Sequence, residues 1–131
     1  MFAETPSILI TDDDAGFRET MRNVLEPRGF RIVTAGDGEE ALRIVNEKPV
    51  HLLLLDMHMP RLSGLETVQR VRKFNSRLPW VLLSGALDER IIQQARLAEA
   101  FAILPKPVSR CDITSTVDQV FRIVYGWPAP V

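Results

Sequence analysis

The sequence has few of the residues on which several common kinds of site depend. It contains one cysteine, Cys111, and two histidines, His51 and His58, in 131 residues. A single thiol excludes an intramolecular disulfide and a structural zinc site built on thiolates. No zinc-binding histidine pair, serine-elbow motif, Walker loop or dinucleotide fingerprint is present. The sequence therefore gives no support to zinc chemistry, serine hydrolysis or nucleotide binding.

An excess of charge and a long apolar run are also missing. The 16 basic and 17 acidic residues leave a net charge of −1, so the overall charge does not attract nucleic acid or an anionic membrane. No apolar run approaches the roughly 20 residues of a membrane span. The first residues lack the basic start and apolar stretch of a signal peptide. We expect a soluble, cytoplasmic protein with no direct nucleic acid or membrane contact.

Short apolar segments alternate with longer segments of helical periodicity. The chain length suits one domain, and 46% of its residues are apolar. The segments that predict strands are residues 7–11, 30–35, 51–55, 80–84 and 101–104. A helix is predicted after each of them, and Asp37 is placed to cap the second helix. Strands that are apolar throughout indicate a parallel sheet covered by helices on both faces, which is an α/β fold.

Polar residues follow four of the five predicted strands. The acidic pair Asp12 and Asp13 follows the first strand, Asp56 the third, Ser84 ends the fourth, and Lys106 follows the fifth. In an open parallel sheet, ligands bind beyond the carboxyl ends of the strands. An acidic run before a helix is by itself a good helix cap, but a charge at the end of a central buried strand needs a purpose. We expect these five residues to share one site.

Three carboxylates in one concavity repel one another unless a cation lies between them. Mg²⁺ takes oxygen ligands and suits such a site, with Mn²⁺ as a substitute. A carboxylate between a metal ion and Lys106 can attack phosphorus and form an aspartyl phosphate. The Ser84 hydroxyl can donate to an oxygen of the transferred group. These residues predict Asp56 as a phosphoryl acceptor, assisted by Ser84 and Lys106.

At these positions the chain resembles the receiver domains of bacterial response regulators, from about residue 7 to residue 125. That family has an acidic pair after the first strand, an acceptor aspartate after the third, Ser or Thr after the fourth and Lys-Pro after the fifth. The segment Asp56-Met57-His58-Met59-Pro60, with Gly64 four residues on, is similar to the family's D-x-x-M-P-x-x-x-G loop. The conjunction of these motifs is highly specific.

The resemblance implies a ligand set for Mg²⁺. Asp13 and Asp56 would bind the ion directly, Asp12 would act largely through water, and His58 would contribute its backbone carbonyl. The bond between Lys106 and Pro107 would be cis. We expect the (βα)5 flavodoxin-like fold, a three-layer sandwich around a five-stranded sheet in the order 2-1-3-4-5.

The resemblance also implies partners and a boundary. The phosphoryl donor would be a phosphohistidine on a sensor histidine kinase or a histidine phosphotransfer protein, and the downstream effector stays unidentified. We expect no enzymatic activity beyond self-phosphorylation from small donors and slow autodephosphorylation, and a monomer or weak homodimer. The receiver domain would span residues 1–125, with residues 126–131 as a C-terminal tail or the start of a linker.

Two residues depart from the family pattern. Family members usually carry an aromatic residue three positions before the lysine, which swings inward when the Ser or Thr shifts. Ile103 stands there, so the switch that it would form with Ser84 would be altered. The output face, formed by the fourth helix, fifth strand and fifth helix, would be altered as well. Glu99 stands where the family often has glycine.

Two other functions compete with a phosphorylated receiver. Ile103 motivates a receiver-like interaction scaffold that works without phosphorylation. A phosphatase of the haloacid dehalogenase type also uses an aspartate nucleophile, in the pattern D-x-D-x-[TV]. Asp12 and Asp14 match its acidic positions, but Gly16 stands where Thr or Val is required. The phosphorylated receiver remains the leading hypothesis.

Overall fold

The computed structural model describes residues 5–128, in which five strands and five helices alternate. The strands are β1 Ser7–Thr11, β2 Arg31–Ala35, β3 Leu52–Asp56, β4 Trp80–Ser84 and β5 Ala102–Pro105. The helices are α1 Ala15–Leu25, α2 Gly38–Glu47, α3 Gly64–Phe74, α4 Glu89–Leu97 and α5 Arg110–Tyr125, with a short 3-10 turn at Glu26–Arg28. All neighbouring strands are parallel, in the order β2-β1-β3-β4-β5. The predicted fold and strand order are confirmed.

Three strands begin one residue later than the apolar pattern predicts. Phe30, His51 and Phe101 each come directly before a strand. Two strands also end one residue later than predicted, at Asp56 for β3 and at Pro105 for β5. His51 still donates its backbone N–H to Ser7 (2.9 Å). Differences of one residue at strand ends are ordinary and leave the position of the polar residues unchanged.

Alternating residues of the central strands pack into two separate hydrophobic cores, one on each face of the sheet. Ile8, Ile10, Leu52, Leu54, Val81 and Leu83 face α1 and α5, whereas Leu9, Leu53, Leu55 and Leu82 face α2, α3 and α4. Each of these side chains is at most 1% exposed. Burying one such side chain contributes about 1.5–3 kcal/mol. The doubly covered sheet therefore holds the carboxyl ends of its strands rigidly, and these ends carry the site.

The end of α5 differs from the sequence expectation. Periodicity places Val124 on the buried stripe of this helix, but Val124 is 43% exposed. Gly126 ends the helix in a left-handed conformation, and the Trp127 N–H donates to the Phe121 carbonyl (2.9 Å). The rings of Tyr125 and Trp127 stack 4.9 Å apart and pack against the core instead of Val124. The tail predicted for residues 126–131 is described as far as residue 128; residues 129–131 lie outside the described part.

Glu99, two residues after the last residue of α4, has a backbone conformation that favours glycine. Its φ is 61°, in the left-handed region, where a side chain costs roughly 1–2 kcal/mol. The Glu99 N–H donates to Arg96 and the Ala100 N–H to Ala95, both at 3.0 Å, which is a Schellman ending. Glu99 also forms an ion pair with Arg72 (2.8 Å). The glycine common at this position in the resembling family therefore has a backbone reason.

We expect Glu99→Gly to be more stable than Glu99→Ala by about 1 kcal/mol, because only glycine removes the steric cost of the left-handed conformation. Both variants lose the ion pair with Arg72, so the comparison isolates the backbone. Urea unfolding of the two proteins measures the difference. Equal stability of the Gly and Ala variants would show that the helix end relaxes without strain.

Candidate functional site

The polar residues predicted from the strand ends meet at one edge of the sheet. Asp12 directly follows β1, Asp56 ends β3, Ser84 ends β4, and Lys106 directly follows β5. Parallel pairing aligns these ends, with Asp56 opposite Leu83. The Lys106 N–H donates to the Ser84 carbonyl (2.8 Å), which joins the last two strand ends.

Three carboxylates form the acidic part of the site. Each of Asp12, Asp13 and Asp56 offers one oxygen, and these oxygens all lie within 4.8 Å of one another. Asp12 and Asp56 are buried, at 1% and 6% exposure, whereas Asp13 is exposed. The set fits a hard divalent cation, because it supplies oxygen ligands only and opens to water on the Asp13 side. Asp14 is not part of this cluster; its side chain caps α1.

Lys106 is the positive charge of the site. Its Nζ lies 2.5 Å from Asp12 Oδ2 and 3.2 Å from Asp56 Oδ1. Lys106 thus lies within reach of Asp56, as the sequence predicted, but its shorter bond is to Asp12. The peptide bond between Lys106 and Pro107 is cis, as the resemblance implies. Lys106 therefore pairs with both buried carboxylates, and its single positive charge balances only one of their two negative charges.

Burial and neighbouring charges shift the pKa values of Asp56 and Lys106. Burial raises the pKa of the Asp56 carboxyl, and the charge of Asp12 raises it further, while Lys106 acts in the opposite direction. Burial lowers the pKa of Lys106, but its hydrogen bond and attraction to Asp12, with a smaller effect of Asp56, outweigh burial and raise the pKa. Lys106 thus stays charged, and ionised Asp56 is stabilised less than it would be in water.

We expect the Asp56 charge to reduce the free energy of unfolding at neutral pH when divalent cations are chelated. Because the folded-state pKa of Asp56 is raised, the folded protein gains stability from this group as the pH falls through that pKa towards the unfolded value near 3.8. Asp56→Asn should then be more stable than the original protein by on the order of 1 kcal/mol at pH 7. The difference should vanish near pH 4. Urea unfolding at a series of pH values in EDTA measures it, and a difference independent of pH would contradict the assignment.

The remaining predicted residues occupy distinct surroundings. Ser84 is buried, and its Oγ accepts the Ala86 N–H (3.2 Å). The side chain of His58 is exposed at the loop after β3. Ile103 lies in the middle of β5, opposite Leu82, and packs against the core on the α2–α4 side. Ile103 is therefore a packing residue here, separate from the charged cluster.

Two residues of α1 reach the site without having been singled out for it from the sequence. The Lys106 Nζ lies 4.2 Å from the centroid of the Phe17 ring. The guanidinium of Arg18 donates to the Asp12 carbonyl (2.7 Å). The pattern marked Phe17 only as a core residue of an amphipathic helix. The single available signal was that both residues lie within one turn after the acidic run.

The loop after β3 is held closed by Gly64. The Gly64 N–H donates to the Met57 carbonyl (2.8 Å), and Ser63 caps α3 in a capping box with Glu66. A Cβ at residue 64 would lie 2.4 Å from the Asp56 carbonyl oxygen. The glycine of the D-x-x-M-P-x-x-x-G motif is therefore required by the close approach of α3 to the backbone of Asp56.

No helix in the range 5–128 is long and apolar enough to cross a membrane.

Comparison with known proteins identifies a family for most of the chain. A model of the response regulator receiver domain matches residues 8–118. A probable chemotaxis protein CheY of Rhizobium etli is 31% identical over 122 residues, which are 91% of this chain and 95% of that protein. The transcriptional activator protein PfeR of Pseudomonas aeruginosa is 33% identical over 122 residues, covering 92% of this chain but 39% of PfeR.

A solved structure gives the same result in three dimensions. The response regulator protein TrrA of Thermotoga maritima, in complex with Mg²⁺ and BeF, superposes with a TM-score of 0.80 at 30% identity. The match covers 88% of this chain and 98% of that one. The chain thus spans nearly all of the CheY relative and of TrrA, and well under half of PfeR.

Proposed function

The chain belongs to the response regulator receiver domain family, and from this premise we propose that Asp56 accepts a phosphoryl group in a reaction that depends on Mg²⁺. Phosphorylation then changes which partner the domain binds. The proposal rests mainly on one observation: Asp56 lies 3.2 Å from the amine of Lys106 and clusters with two further carboxylates. This arrangement combines a nucleophile, a positive charge and a cation site.

The proposed cation ligands are Asp13 and Asp56 directly, Asp12 largely through water, and the backbone carbonyl of His58. The clustered carboxylate oxygens support this set, and TrrA, which is 30% identical, is a complex with Mg²⁺. When bound, Mg²⁺, or Mn²⁺ in its place, supplies charge neutralisation for an in-line phosphoryl transfer. This chain's own residues would do the rest.

In the transfer, a carboxylate oxygen of Asp56 attacks phosphorus as the bond from phosphorus to the donor breaks. With a phosphohistidine donor, the broken bond is P–N, and the imidazole nitrogen keeps the electron pair. The product is a mixed anhydride on Asp56. Lys106 neutralises charge on the phosphoryl oxygens, and Ser84 turns its hydroxyl from the Ala86 N–H toward one of them.

Phosphorylation would bias an equilibrium that already exists between two arrangements of the domain. The movement of Ser84 would shift the loop before α4 and so alter the face formed by α4, β5 and α5. Ile103 cannot supply the aromatic ring that usually accompanies this shift in the family. We therefore place the response in α4 and its loop more than in the side chain on β5.

Response regulators are signalling proteins, and we propose the corresponding partners for this domain. They are a sensor histidine kinase or a histidine phosphotransfer protein as donor, and an effector downstream. We place the domain in the cytoplasm, as a monomer or weak homodimer, over residues 1–125, with residues 126–131 as a tail or the start of a linker. Chemistry would be limited to self-phosphorylation from small donors and slow autodephosphorylation.

Acetyl phosphate tests the proposed function directly. The protein is incubated with acetyl phosphate and Mg²⁺, and intact mass is measured against a sample containing EDTA. We expect a gain of one phosphate with Mg²⁺ only, and peptide mapping after borohydride reduction should place it on Asp56. An unchanged mass under both conditions would overturn the proposal.

The alternative is an interaction scaffold that works without phosphorylation. Ile103 is the observation that favours it, because this partly buried side chain packs against the core and offers no aromatic ring to the switch. Amide hydrogen exchange with and without beryllofluoride separates the two functions. Changed protection around residues 84–99 supports the phosphorylated switch, and unchanged protection supports the scaffold. The dehalogenase-type phosphatase is not supported, since the chain belongs to the receiver family.

A further inference from the structure

We propose that Phe17 is a positioning residue that holds the amine of Lys106 in place for phosphoryl transfer. The ring centroid of Phe17 lies 4.2 Å from Lys106 Nζ. A cation within about 6 Å of an aromatic face is attracted by the ring quadrupole. The inference rests on the proposed function, because the positioned amine is the one that would meet the phosphoryl group.

Lys106 needs such a contact because its side chain is flexible. A lysine amine is a point charge on a stem of four carbons with many rotamers. Three groups surround it here: Asp12 at 2.5 Å, Asp56 at 3.2 Å and the Phe17 ring. The Lys106 side chain is 21% exposed, so water competes for it as well.

Binding of a divalent cation and a phosphoryl group would weaken some of these three contacts with Lys106 more than others. Asp12 and Asp56 would share their negative charge with a bound divalent cation, and Asp56 would further lose its charge on forming the anhydride. Both changes weaken their attraction for Lys106. The Phe17 ring is uncharged and binds neither metal nor phosphate. Its hold on the amine is therefore the contact that the reaction leaves intact.

The start of α1 fixes the Phe17 ring. Asp14 Oδ1 accepts the N–H of Gly16 (2.9 Å) and of Phe17 (3.3 Å), which sets the first turn of the helix. The Phe17 side chain is partly buried against the core between the sheet and the α1–α5 layer. This gives Asp14 a role separate from the acidic cluster: it orients the turn from which Phe17 reaches Lys106.

A packing role alone would be satisfied by an aliphatic side chain of similar volume. Phe17→Leu and Phe17→Met keep apolar bulk and remove the π face, whereas Phe17→Tyr keeps both. We expect Phe17→Leu and Phe17→Met to lower the maximal rate of phosphate uptake from acetyl phosphate by about 5-fold at saturating Mg²⁺. Phe17→Tyr should keep at least about half of the original rate, and the apparent Kd for Mg²⁺ should change less than about 2-fold in all three.

A second readout reports the contact without phosphorylation. In the original protein and in Phe17→Tyr, the ring current should shift the ε-methylene protons of Lys106 upfield in a proton–carbon correlation spectrum. The shift should disappear in Phe17→Leu and Phe17→Met. Thermal unfolding of each variant identifies any loss of folded protein, and rates are compared for folded protein only.

The two proposals fail in distinguishable ways. If the original protein accepts no phosphate, the proposed function and the role of Phe17 in transfer are both overturned. The ring-current shift would still show whether Phe17 contacts Lys106. If Phe17→Leu and Phe17→Met accept phosphate at the original rate, only the role of Phe17 is overturned. A parallel loss in all three variants, Tyr included, would also overturn it, because the π face would then not be the reason.

Discussion

Replacing Asp56 with Asn is expected to abolish phosphate uptake from acetyl phosphate, with a decrease of at least about 100-fold. An amide is a poor nucleophile toward phosphorus, and the variant also removes one carboxylate from the acidic cluster. The shape of the side chain is conserved, and Lys106 keeps its bond to Asp12 (2.5 Å). The fold should therefore persist, so that loss of uptake reports chemistry. Intact mass after incubation with the donor and Mg²⁺ measures it.

Asp37→Asn provides a control with the same change of charge. Asp37 caps α2 and pairs with Arg61 at 2.9 Å, outside the acidic cluster. Asparagine is also a good helix cap, so this variant should accept phosphate at the original rate. If Asp56→Asn took up as much phosphate as Asp37→Asn, the acceptor would have to be a side chain other than Asp56. Peptide mapping would then locate it.

Gly64→Ala is expected to lose about 3 kcal/mol of unfolding free energy and most of the phosphate uptake. The added Cβ would lie 2.4 Å from the Asp56 carbonyl oxygen and 2.9 Å from Met57 Cα. Both atoms belong to backbone at the end of a fully buried strand, so neither can move aside without disturbing β3. Relief of the clash must displace Asp56 or the start of α3. Urea unfolding and the acetyl phosphate assay measure the two effects.

Gly85→Ala is the matched control for stability. Gly85 also lies at the edge of the site, but a Cβ there would meet only the Cβ of Lys106, at 4.0 Å, which is ordinary contact. We expect its unfolding free energy to stay within about 0.5 kcal/mol of the original. Similar losses in both variants would mean that the close approach of α3 to Asp56 is not what requires Gly64.

These effects follow from how the site is supported. Asp56 is held by a central strand whose four leucines are completely buried, and the loop after it is closed by the bond from Gly64 to Met57. Movement of Asp56 is therefore costly, whereas the hydroxyl of Ser84 has only one longer bond, from the Ala86 N–H at 3.2 Å. We therefore expect a phosphoryl group on Asp56 to reorient the Ser84 hydroxyl rather than to displace Asp56.

The sequence by itself determined the architecture and the membership of the site. Unbroken apolar strands are buried on both faces, which requires helices on both sides, and parallel strands bring all their carboxyl ends to one edge. Asp12, Asp13, Asp56 and Lys106 could be assigned to one place for this reason, before any distance was known. The cap at Asp37 was predictable too, because capping depends on neighbours three residues apart.

Only the tertiary structure decided how these groups are paired. Lys106 bonds more closely to Asp12 than to Asp56, and Phe17 lies against its amine. The contacts of Lys106 with Asp12 and Phe17 join residues about 90 positions apart in the sequence. Their geometry depends on how α1 and β5 pack against the same sheet edge. The end of α5 is similar: periodicity within the helix placed Val124 inward, but the rings of Tyr125 and Trp127 pack there. Local periodicity reports which face of an element is apolar, whereas competition between side chains for the same space is settled only when the elements pack together.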